Sequence, residues 1–417
     1  MTQSVLDNLT LGYQPLWNQL RQLAGVQLFI GSGSASPVDA SHLLSVLQET
    51  WPEQAPPLLL SIQTHQLLSD VITHADQNSP WVEVRGDTLS DPAMAQRVHA
   101  AHQRGLKMIW RGEPGERPNS TQASCFARNM VMLTAEEALS GLRASLIKHN
   151  GTAALSATPL KSPVVSGHIY EAVASRALVE HCLDDQGAWA AAGWPSEDVL
   201  HGYRHRLIQP DHRAVVKLIE ATMADDSMES IEHTLAEEPV LVYRFLRYVN
   251  SAALGLPSGI DSLRHGLMVL GYSKLKAWLL EQLPHTSSDL NLRPIRVAMV
   301  MRARLMEHLL DAGAEDALRR DVYLCGLLSQ IDLFLGEPLG MALQRLPLSP
   351  RIGAAILAES GPYLPFLQVA AALESPQLRH VGILCKAHQI SGEEVNRALL
   401  RTLSTVQTNP ARGRLFA

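Results

Sequence analysis

The sequence predicts two parts with different folds: an α/β part over residues 1–199 and an all-helical part over residues 200–417, with a core at about 207–374. In the first part, short apolar runs alternate with stretches of helical pattern, which is typical of a parallel α/β layer or barrel. In the second part, apolar residues recur at helical spacing almost throughout. A chain of 417 residues is long enough for two or three domains, so both parts can have their own core.

Six apolar runs in the first part have the length and composition of strands. They are residues 27–30, 58–62, 81–85, 106–110, 129–133 and 189–192. Between several of them lie stretches of helical pattern, such as residues 38–50 and 91–103. This order favours parallel strands joined by crossover helices.

The second part centres on residues 235–283, where one helical face is strongly apolar. Pro239 can occupy a first helical turn, and the acidic Glu237 and Glu238 suit a helix start. The apolar face comprises Val242, Phe245, Leu246, Val249 and Ala253. The opposite face has Arg244, Arg247 and Asn250. One side of this helix is therefore expected to be buried, and the other to meet solvent or a partner.

Two further helices are expected after this one. Glycine and proline at positions 255–259 interrupt the pattern, and Asp261 or Ser262 can cap a second helix. Gly271 can end that helix in the left-handed conformation, and Ser273 can cap a third. We expect the Asn250 amide to bond backbone groups and, in the left-handed conformation, to fix the turn to Ser251.

Composition indicates an ordinary water-soluble protein. Hydrophobic residues make up 46% and charged residues 18%, with a formal net charge of −6, which recruits neither nucleic acid nor an anionic membrane. The 4 cysteines are far apart, which argues against a zinc ribbon or a disulfide framework. The N-terminus lacks the pattern of a signal peptide, and no apolar run is long enough to span a membrane. A reduced, cytoplasmic setting is expected.

The run EEPVLVYRFLRYVNSAALGLPSGIDSLRHGLMVLGYSKLKAWLL resembles the core signature of the HDOD family. The matching features are an acidic-Pro start, an Asn-Ser helix end, a Gly/Pro turn and a Leu-Gly helix end, which here are Glu238-Pro239, Asn250-Ser251, residues 255–259 and Leu270-Gly271. The resemblance implies an all-helical domain related to HD phosphohydrolases. It also implies a bacterial signalling protein that is not an enzyme.

The N-terminal part resembles the opening of EAL-type cyclic di-GMP phosphodiesterase domains. Gln14-Pro15 matches the Gln-Pro pair with which that family begins, and residues 25–30 match its first strand. The resemblance implies a (β/α) barrel, and Gln27 stands where the family has a metal-binding glutamate. Ser61 stands at an asparagine position, Glu83 keeps one acidic position, and Arg111 replaces an aspartate pair.

Those replacements predict a degenerate EAL-like domain without hydrolase activity. A pair of divalent cations needs several anionic oxygen ligands, and a single glutamate cannot hold both. The helical part lacks the His-Asp dipeptide of HD phosphohydrolases, since Gly326-Leu-Leu is followed by Ser329 and Gln330. Neither is a good ligand for a catalytic divalent ion. We therefore expect no catalytic residue, no metal and no cofactor in either part.

The sequence thus favours a non-enzymatic signalling scaffold or regulator that binds partner proteins. Arg244, Arg247 and Tyr248 are candidate partner contacts, alongside the signature residues Asn250, Ser251 and Gly271. The main alternative is a sensor that binds a cyclic dinucleotide such as cyclic di-GMP through the inactive EAL-like part. Nucleic-acid binding is a lesser alternative, because residues 201–281 contain nine Lys/Arg against ten Asp/Glu.

Overall fold

A computed structural model of the protein describes residues 4–33, 38–150, 161–204, 206–254, 259–310 and 313–406. The side chains of residues 121, 147–150 and 253 are not among those described. The chain forms two compact units, one of residues 1–198 with 372–417 and the other of residues 199–371. The predicted Gly/Pro turn at 255–259 lies outside the described residues except for its last position.

The first unit contains a closed barrel of eight strands arranged in chain order. The strands are β1 (Leu9–Trp17), β2 (Leu23–Ser32), β3 (Leu58–Ile62), β4 (Trp81–Arg85), β5 (Met108–Arg111), β6 (Arg128–Met132), β7 (Ile169–Glu171) and β8 (Ala190–Ala192). Strand β1 is antiparallel to both of its neighbours, β2 and β8. The other neighbouring strands are parallel, so β2 to β8 point their carboxyl ends the same way.

The described helices lie between and after these strands. In chain order they are α1 (Ala40–Thr50), α2 (His65–His74), α3 (Pro92–Gln103), α4 (Ser120–Ala123), α5 (Ala135–Asn150), α6 (Arg176–Glu180), α7 (Ser196–His201), α8 (His212–Met223), α9 (Met228–Ala236), α10 (Pro239–Val249), α11 (Leu263–Gln282), α12 (Arg293–His308), α13 (Asp316–Leu328), α14 (Asp332–Leu335), α15 (Leu339–Leu343), α16 (Pro350–Leu357), α17 (Leu364–Leu373), α18 (Leu378–His388) and α19 (Gly392–Thr405). A π-helical turn, His181–Asp185, continues α6. No helix among the described residues is long and apolar enough to cross a membrane.

The barrel interior has an apolar layer built from alternate residues of its strands. Leu16, Leu59, Ile109, Met130 and Ile169 are almost completely buried and form this layer. Trp81 and Trp189 pack against it with ring centroids 5.3 Å apart. Burial of such side chains stabilises the barrel by about 25 cal/mol per Å² of apolar surface.

The barrel that the sequence predicted is confirmed, but two strands were missed. Strand β1 contains Gly12 and Pro15, which obscure a strand pattern. Strand β7 has three residues, too few to show a period of two. The predicted strands at 58–62 and 81–85 have the observed bounds of β3 and β4.

The last two helices pack on the barrel, which differs from the predicted assignment of residues 372–417 to the helical domain. The reason is a buried amide. Asn396 of α19 is 2% exposed, and its Nδ2 donates to the carbonyl oxygens of Leu6 (2.8 Å) and Leu9 (2.9 Å). Its Oδ1 accepts from the N–H of Leu11 at 3.3 Å. These bonds satisfy backbone groups at the start of β1 that would otherwise be buried without partners.

The second unit is helical, and α10 and α11 form as the sequence predicts. Pro239 is the first residue of α10, and Glu238 is its N-cap, accepting from the Leu241 N–H at 2.6 Å. Ser262, and not Asp261, caps α11. A cap of this kind contributes about 1 kcal/mol.

Two backbone predictions in this unit were wrong in detail. Asn250 has φ −99° and ψ 9°, so it is not in the left-handed region. Gly271 has a positive φ of 68°, but its ψ of 169° lies outside the left-handed helical region. Instead of ending one helix and preceding another, Gly271 kinks α11. Only glycine adopts that conformation without strain.

Candidate functional site

The candidate site is a cluster of polar side chains inside the barrel. Gln27 lies on β2, Ser61 on β3, Glu83 on β4, Arg111 on β5 and Glu171 on β7. Arg111 and Glu171 are the last residues of parallel strands, and the carboxyl ends of such strands form the functional face of α/β barrels. The structure therefore brings together all four residues that the sequence singled out, with a fifth.

Gln27, Ser61 and Glu83 form the inner half of the cluster. The Gln27 Nε2 donates to the Ser61 Oγ and to the Glu83 Oε2, each at 2.9 Å. The Ser61 hydroxyl also donates to Glu83 Oε2. Their exposed fractions are 1%, 5% and 5%, so this half is shielded from water. One oxygen of the Glu83 carboxylate thus already accepts two hydrogen bonds.

Arg111 forms the outer half by joining two carboxylates. Its Nη1 donates to Glu83 Oε1 at 3.2 Å. Its Nε and Nη2 donate to the two oxygens of Glu171 at 2.9 and 2.8 Å, a bidentate pair. The guanidinium therefore lies between Glu83 and Glu171 and places its charge in the position of a shared cation.

The pKa values follow from burial and from this arrangement. Burial alone would lower the pKa of Arg111, but the two carboxylates outweigh it and raise that pKa above its ordinary value. Burial raises the pKa of Glu171, and the hydrogen bonds and charge of Arg111 oppose only part of this effect. Arg111 therefore stays charged, and its charge and hydrogen bonds favour the ionised form of Glu171.

These residues do not fit a pair of divalent cations. Both oxygens of Glu83 and both of Glu171 already accept from Ser61, Gln27 or Arg111. Gln27 brings a neutral amide, and the guanidinium would repel a metal ion. Within the described ranges, no group of three or more His, Cys, Asp or Glu residues could hold a metal.

A small cavity of about 230 Å³, the mouth cavity, opens beside Arg111 and Glu171 of the cluster. Its charged lining residues are Arg85, Asp87, Arg111, Glu113, Glu116 and Glu171. Arg85 is paired with Glu113 at 3.2 Å and with Asp87 at 3.5 Å. The cavity therefore has four carboxylates and two arginines, and both arginines already have acidic partners.

Sequence reasoning missed Glu171, which completes the cluster. It belongs to the short strand β7, where only the apolar Ile169 and Tyr170 precede it. The available signal was chemical: a partly buried Arg111 beside the buried Glu83 favours a second acidic partner. No periodic pattern in the sequence identifies which glutamate supplies it.

In the second unit, most of the predicted contact residues bond within the unit. Arg244 donates to the side-chain oxygens of Gln282 (3.1 Å) and Gln209 (2.5 Å), and burial lowers its pKa. Tyr248 stacks on Trp278 with ring centroids 5.7 Å apart. Arg247 alone of the three predicted contacts is exposed, with its guanidinium 5.8 Å from the centre of the Tyr243 ring.

Asn250 and Ser251 lie at the end of α10, and Gly271 is the α11 kink. The Asn250 amide donates to the carbonyl oxygens of Leu246 (2.7 Å) and Ile260 (2.8 Å) and accepts from the Ile260 N–H (2.7 Å). All three hydrogen bonds go to backbone groups, so the amide holds the segment that follows α10 in place. The buried Ser251 hydroxyl has no hydrogen-bond partner among the described residues.

The position at which the sequence resemblance expects a His-Asp dipeptide is the end of α13. Ser329 is the C-cap residue there, and its hydroxyl donates to the Gly326 carbonyl oxygen at 2.7 Å. Burial raises the pKa of the nearby Asp332. A serine bonded to its own helix and a single aspartate do not constitute a metal site.

Comparison with protein families identifies the second unit. Residues 209–341 match the HDOD domain family, so the chain contains an HDOD domain. The resemblance of the first unit to EAL domains is not tested by this match and stays a prediction, although an eight-stranded barrel is present.

Two curated proteins are similar to part of the chain. The cyclic di-GMP phosphodiesterase CdgJ of Vibrio cholerae is 22% identical over 198 residues, which cover 47% of this chain and 46% of CdgJ. The protein YuxH of Bacillus subtilis is 26% identical over 165 residues, 38% of this chain and 39% of YuxH. The chain thus matches less than half the length of either relative.

Two solved structures are similar to part of the chain at lower sequence identity. The MmoQ response regulator of Methylococcus capsulatus is 13% identical, with a TM-score of 0.36 over 46% of this chain and 98% of MmoQ. BlrP1 of Klebsiella pneumoniae, solved with manganese and cyclic di-GMP, is 10% identical, with a TM-score of 0.29 over 45% of this chain and 55% of BlrP1.

Proposed function

We propose that this HDOD-domain protein acts in bacterial cytoplasmic signalling by binding other proteins, without hydrolysing a phosphodiester. In this proposal the HDOD unit is the scaffold, and the barrel is a regulatory or docking module. One curated relative is named a cyclic di-GMP phosphodiesterase, so a related pathway is the natural setting. The protein would take part in that pathway as a pseudoenzyme.

One observation carries the proposal: the Arg111 guanidinium lies where a cation between Glu83 and Glu171 would lie. Metal-assisted hydrolysis needs a Lewis acid that polarises the phosphate and lowers the pKa of a bound water. A guanidinium has no open coordination position and does not activate water in that way. In this proposal the charges of Glu83 and Glu171 are balanced by Arg111 and not by a metal ion, and the barrel does not carry out metal-assisted hydrolysis.

On the HDOD unit, Arg247 is the predicted contact residue that remains accessible. Arg244 is hydrogen-bonded to Gln209 and Gln282, and Asn250 is hydrogen-bonded to the backbone. These two residues therefore stabilise the fold, and we do not assign them to partner binding. Arginine is enriched at the energetic centres of protein interfaces. We therefore propose that the exposed side of α10 around Arg247 contacts the partner.

A sensor for cyclic di-GMP is the second candidate, supported by Arg85 and Arg111 at the mouth cavity. Three features weaken it. The cavity of about 230 Å³ is below the roughly 300–1,000 Å³ of typical ligand sites. Its four carboxylates oppose an anionic ligand, and both arginines are already paired. Calorimetric titration with cyclic di-GMP tests this candidate, since it requires saturable heat and a rise in melting temperature.

The main proposal is tested by activity and by complementation. The purified full chain, incubated with cyclic di-GMP and Mn²⁺ or Mg²⁺, is expected to form no linear dinucleotide, while CdgJ assayed in parallel serves as the reference. In a strain lacking the gene, the Glu83→Gln variant is expected to restore signalling and Arg247→Glu to fail. Lys274→Glu, an exposed change elsewhere on the HDOD unit, is the matched control. Metal-dependent turnover by the wild-type chain would overturn the proposal.

A further inference from the structure

A second cavity of the first unit lies between α18, the start of β1 and the carboxyl ends of β2 and β3, and none of its lining residues belongs to the polar cluster. It measures about 380 Å³, within the range of small-molecule sites. The lining residues of α18 are Leu378, Arg379, Gly382, Ile383 and Lys386, and those of the barrel are Thr10, Gly31, Ser32, Gly33 and Gln63. An adjoining cavity of about 290 Å³ shares Thr10, Gly33, Gly382 and Lys386 with it, so the two form one groove, and the adjoining cavity adds the acidic Asp7.

Small residues build this groove. A Cβ on Gly31 would lie 2.8 Å from Leu378 Cδ1, and a Cβ on Gly12 would lie 2.6 Å from the Ser375 carbonyl oxygen. The start of α18 can therefore pack directly on the strands, anchored by Leu378, which is 5% exposed. Further along the helix, a Cβ on Gly382 would meet nothing within 4 Å. Leu378, Val381 and Cys385 form the buried face of α18, and open space lies beside Gly382.

The charge in the larger cavity is entirely basic. Arg379 and Lys386 are its only charged lining residues, and both are exposed. Neither has an acidic partner in the part of the chain that the structure describes, in contrast to the paired arginines of the mouth cavity. This local charge opposes the net charge of −6 of the whole chain. An accessible pair of cations in a concave site favours an anionic ligand.

The spacing of these residues defines the ligand further. Arg379, Ile383 and Lys386 are at positions i, i+4 and i+7, so they lie along one face of α18. At 1.5 Å per residue, the two cations are anchored about 10 Å apart along the helix. Ile383 lies between them and is 55% exposed, so it offers an apolar surface to the middle of a ligand.

We propose that this groove binds a small molecule with two phosphate groups separated by an uncharged body. Arg379 and Lys386 would each bind one phosphate, and Ile383 and Gly382 would contact the body. Nucleic acid does not fit, because two cations on a chain of net charge −6 release too few counterions. The groove is independent of the proposed signalling function and shares no lining residue with the polar cluster.

Calorimetry on the full chain at low salt tests the charge spacing. Fructose 1,6-bisphosphate, with a phosphate at each end of the sugar, is expected to bind at least tenfold more tightly than fructose 6-phosphate. Arg379→Gln or Lys386→Gln should each remove this advantage, because a lost charge-assisted contact has an effect of about tenfold or more. Arg401→Gln, a change of an exposed cation on α19, should have no effect. Equal affinity for the two sugars, or an equal loss in Arg401→Gln, would overturn the proposal.

A second variant separates binding from folding. Gly382→Leu should fill the groove and abolish binding of fructose 1,6-bisphosphate, while the open space and the better helix propensity keep or raise the melting temperature. Gly353→Leu, at an equally open helical position on α16, is the control and should bind as the wild type does. Undiminished binding by a folded Gly382→Leu variant would show that the ligand lies elsewhere.

Discussion

Replacing Arg111 by Met should destabilise the barrel much more than replacing a neighbouring arginine. Met fills similar volume but leaves the carboxylates of Glu83 and Glu171, 5% and 8% exposed, without their shared cation. Breaking a buried ion pair in this way costs roughly 3–5 kcal/mol. The Arg111 side chain is 27% exposed, so water can reach part of the site and the lower value, about 3 kcal/mol, applies.

The assay is thermal unfolding followed by tryptophan fluorescence. Of the 7 tryptophans, Trp278 alone lies in the HDOD unit, so the signal reports mainly on the barrel. For a unit of this size, a loss of about 3 kcal/mol lowers the melting temperature by roughly 6–12 °C. Arg85→Met is the control, because the ion pairs of Arg85 are exposed and contribute at most about 1 kcal/mol.

The same variant should have a characteristic dependence on pH. Burial raises the pKa of Glu171, and without Arg111 nothing of comparable strength opposes that shift. The folded variant then binds a proton that the unfolded chain has released, so its stability falls as pH rises through this window. Lowering the pH from 7.5 to 5.5 should recover part of the lost stability. A melting temperature close to that of Arg85→Met, or no recovery in acid, would refute the idea that Arg111 neutralises the pair.

Three further changes test other parts of the fold. Asn396→Ala should cost roughly 2–4 kcal/mol, measured by urea unfolding, because it leaves buried backbone groups at and before the start of β1 without partners. Asn396→Asp should lose at least as much, because a buried carboxylate oxygen would then face the carbonyl oxygens of Leu6 and Leu9. Asn250→Ala should destabilise the HDOD unit by about 2 kcal/mol and increase hydrogen exchange at the Ile260 N–H, and unchanged exchange would contradict this role. Gly271→Ala should cost roughly 1–3 kcal/mol of backbone strain alone, since its Cβ meets nothing within 4 Å, and calorimetric unfolding that shows no loss would contradict it.

Local pattern was enough to predict much of this structure. Apolar runs identified most of the barrel strands, and the Pro239 start of α10 followed from the chemistry of helix termini. The resemblance to EAL domains also singled out Gln27, Ser61, Glu83 and Arg111, which the structure joins through Glu83. The predictions of strands and helix starts depend on information that lies within a few residues of each element.

The features that were missed depend on contacts between distant residues. Glu171 pairs with Arg111, 60 positions earlier, and its three-residue strand is too short to show an alternating pattern. The amphipathic pattern of α19 predicts a buried face but does not say which unit covers it. The hydrogen bonds of Asn396 to residues more than 380 positions away decide that question.

The attachment of α18 and α19 to the barrel makes the first unit discontinuous, with residues 199–371 inserted into it. During synthesis from the N-terminus, the eight strands emerge long before Asn396 is made, and β1 lacks that partner in the interval. The HDOD unit is contiguous, so it can reach its final form first, because domains generally fold as units. Completion of the barrel therefore waits until α18 and α19 have been made, which links the maturation of one unit to the prior synthesis of the other.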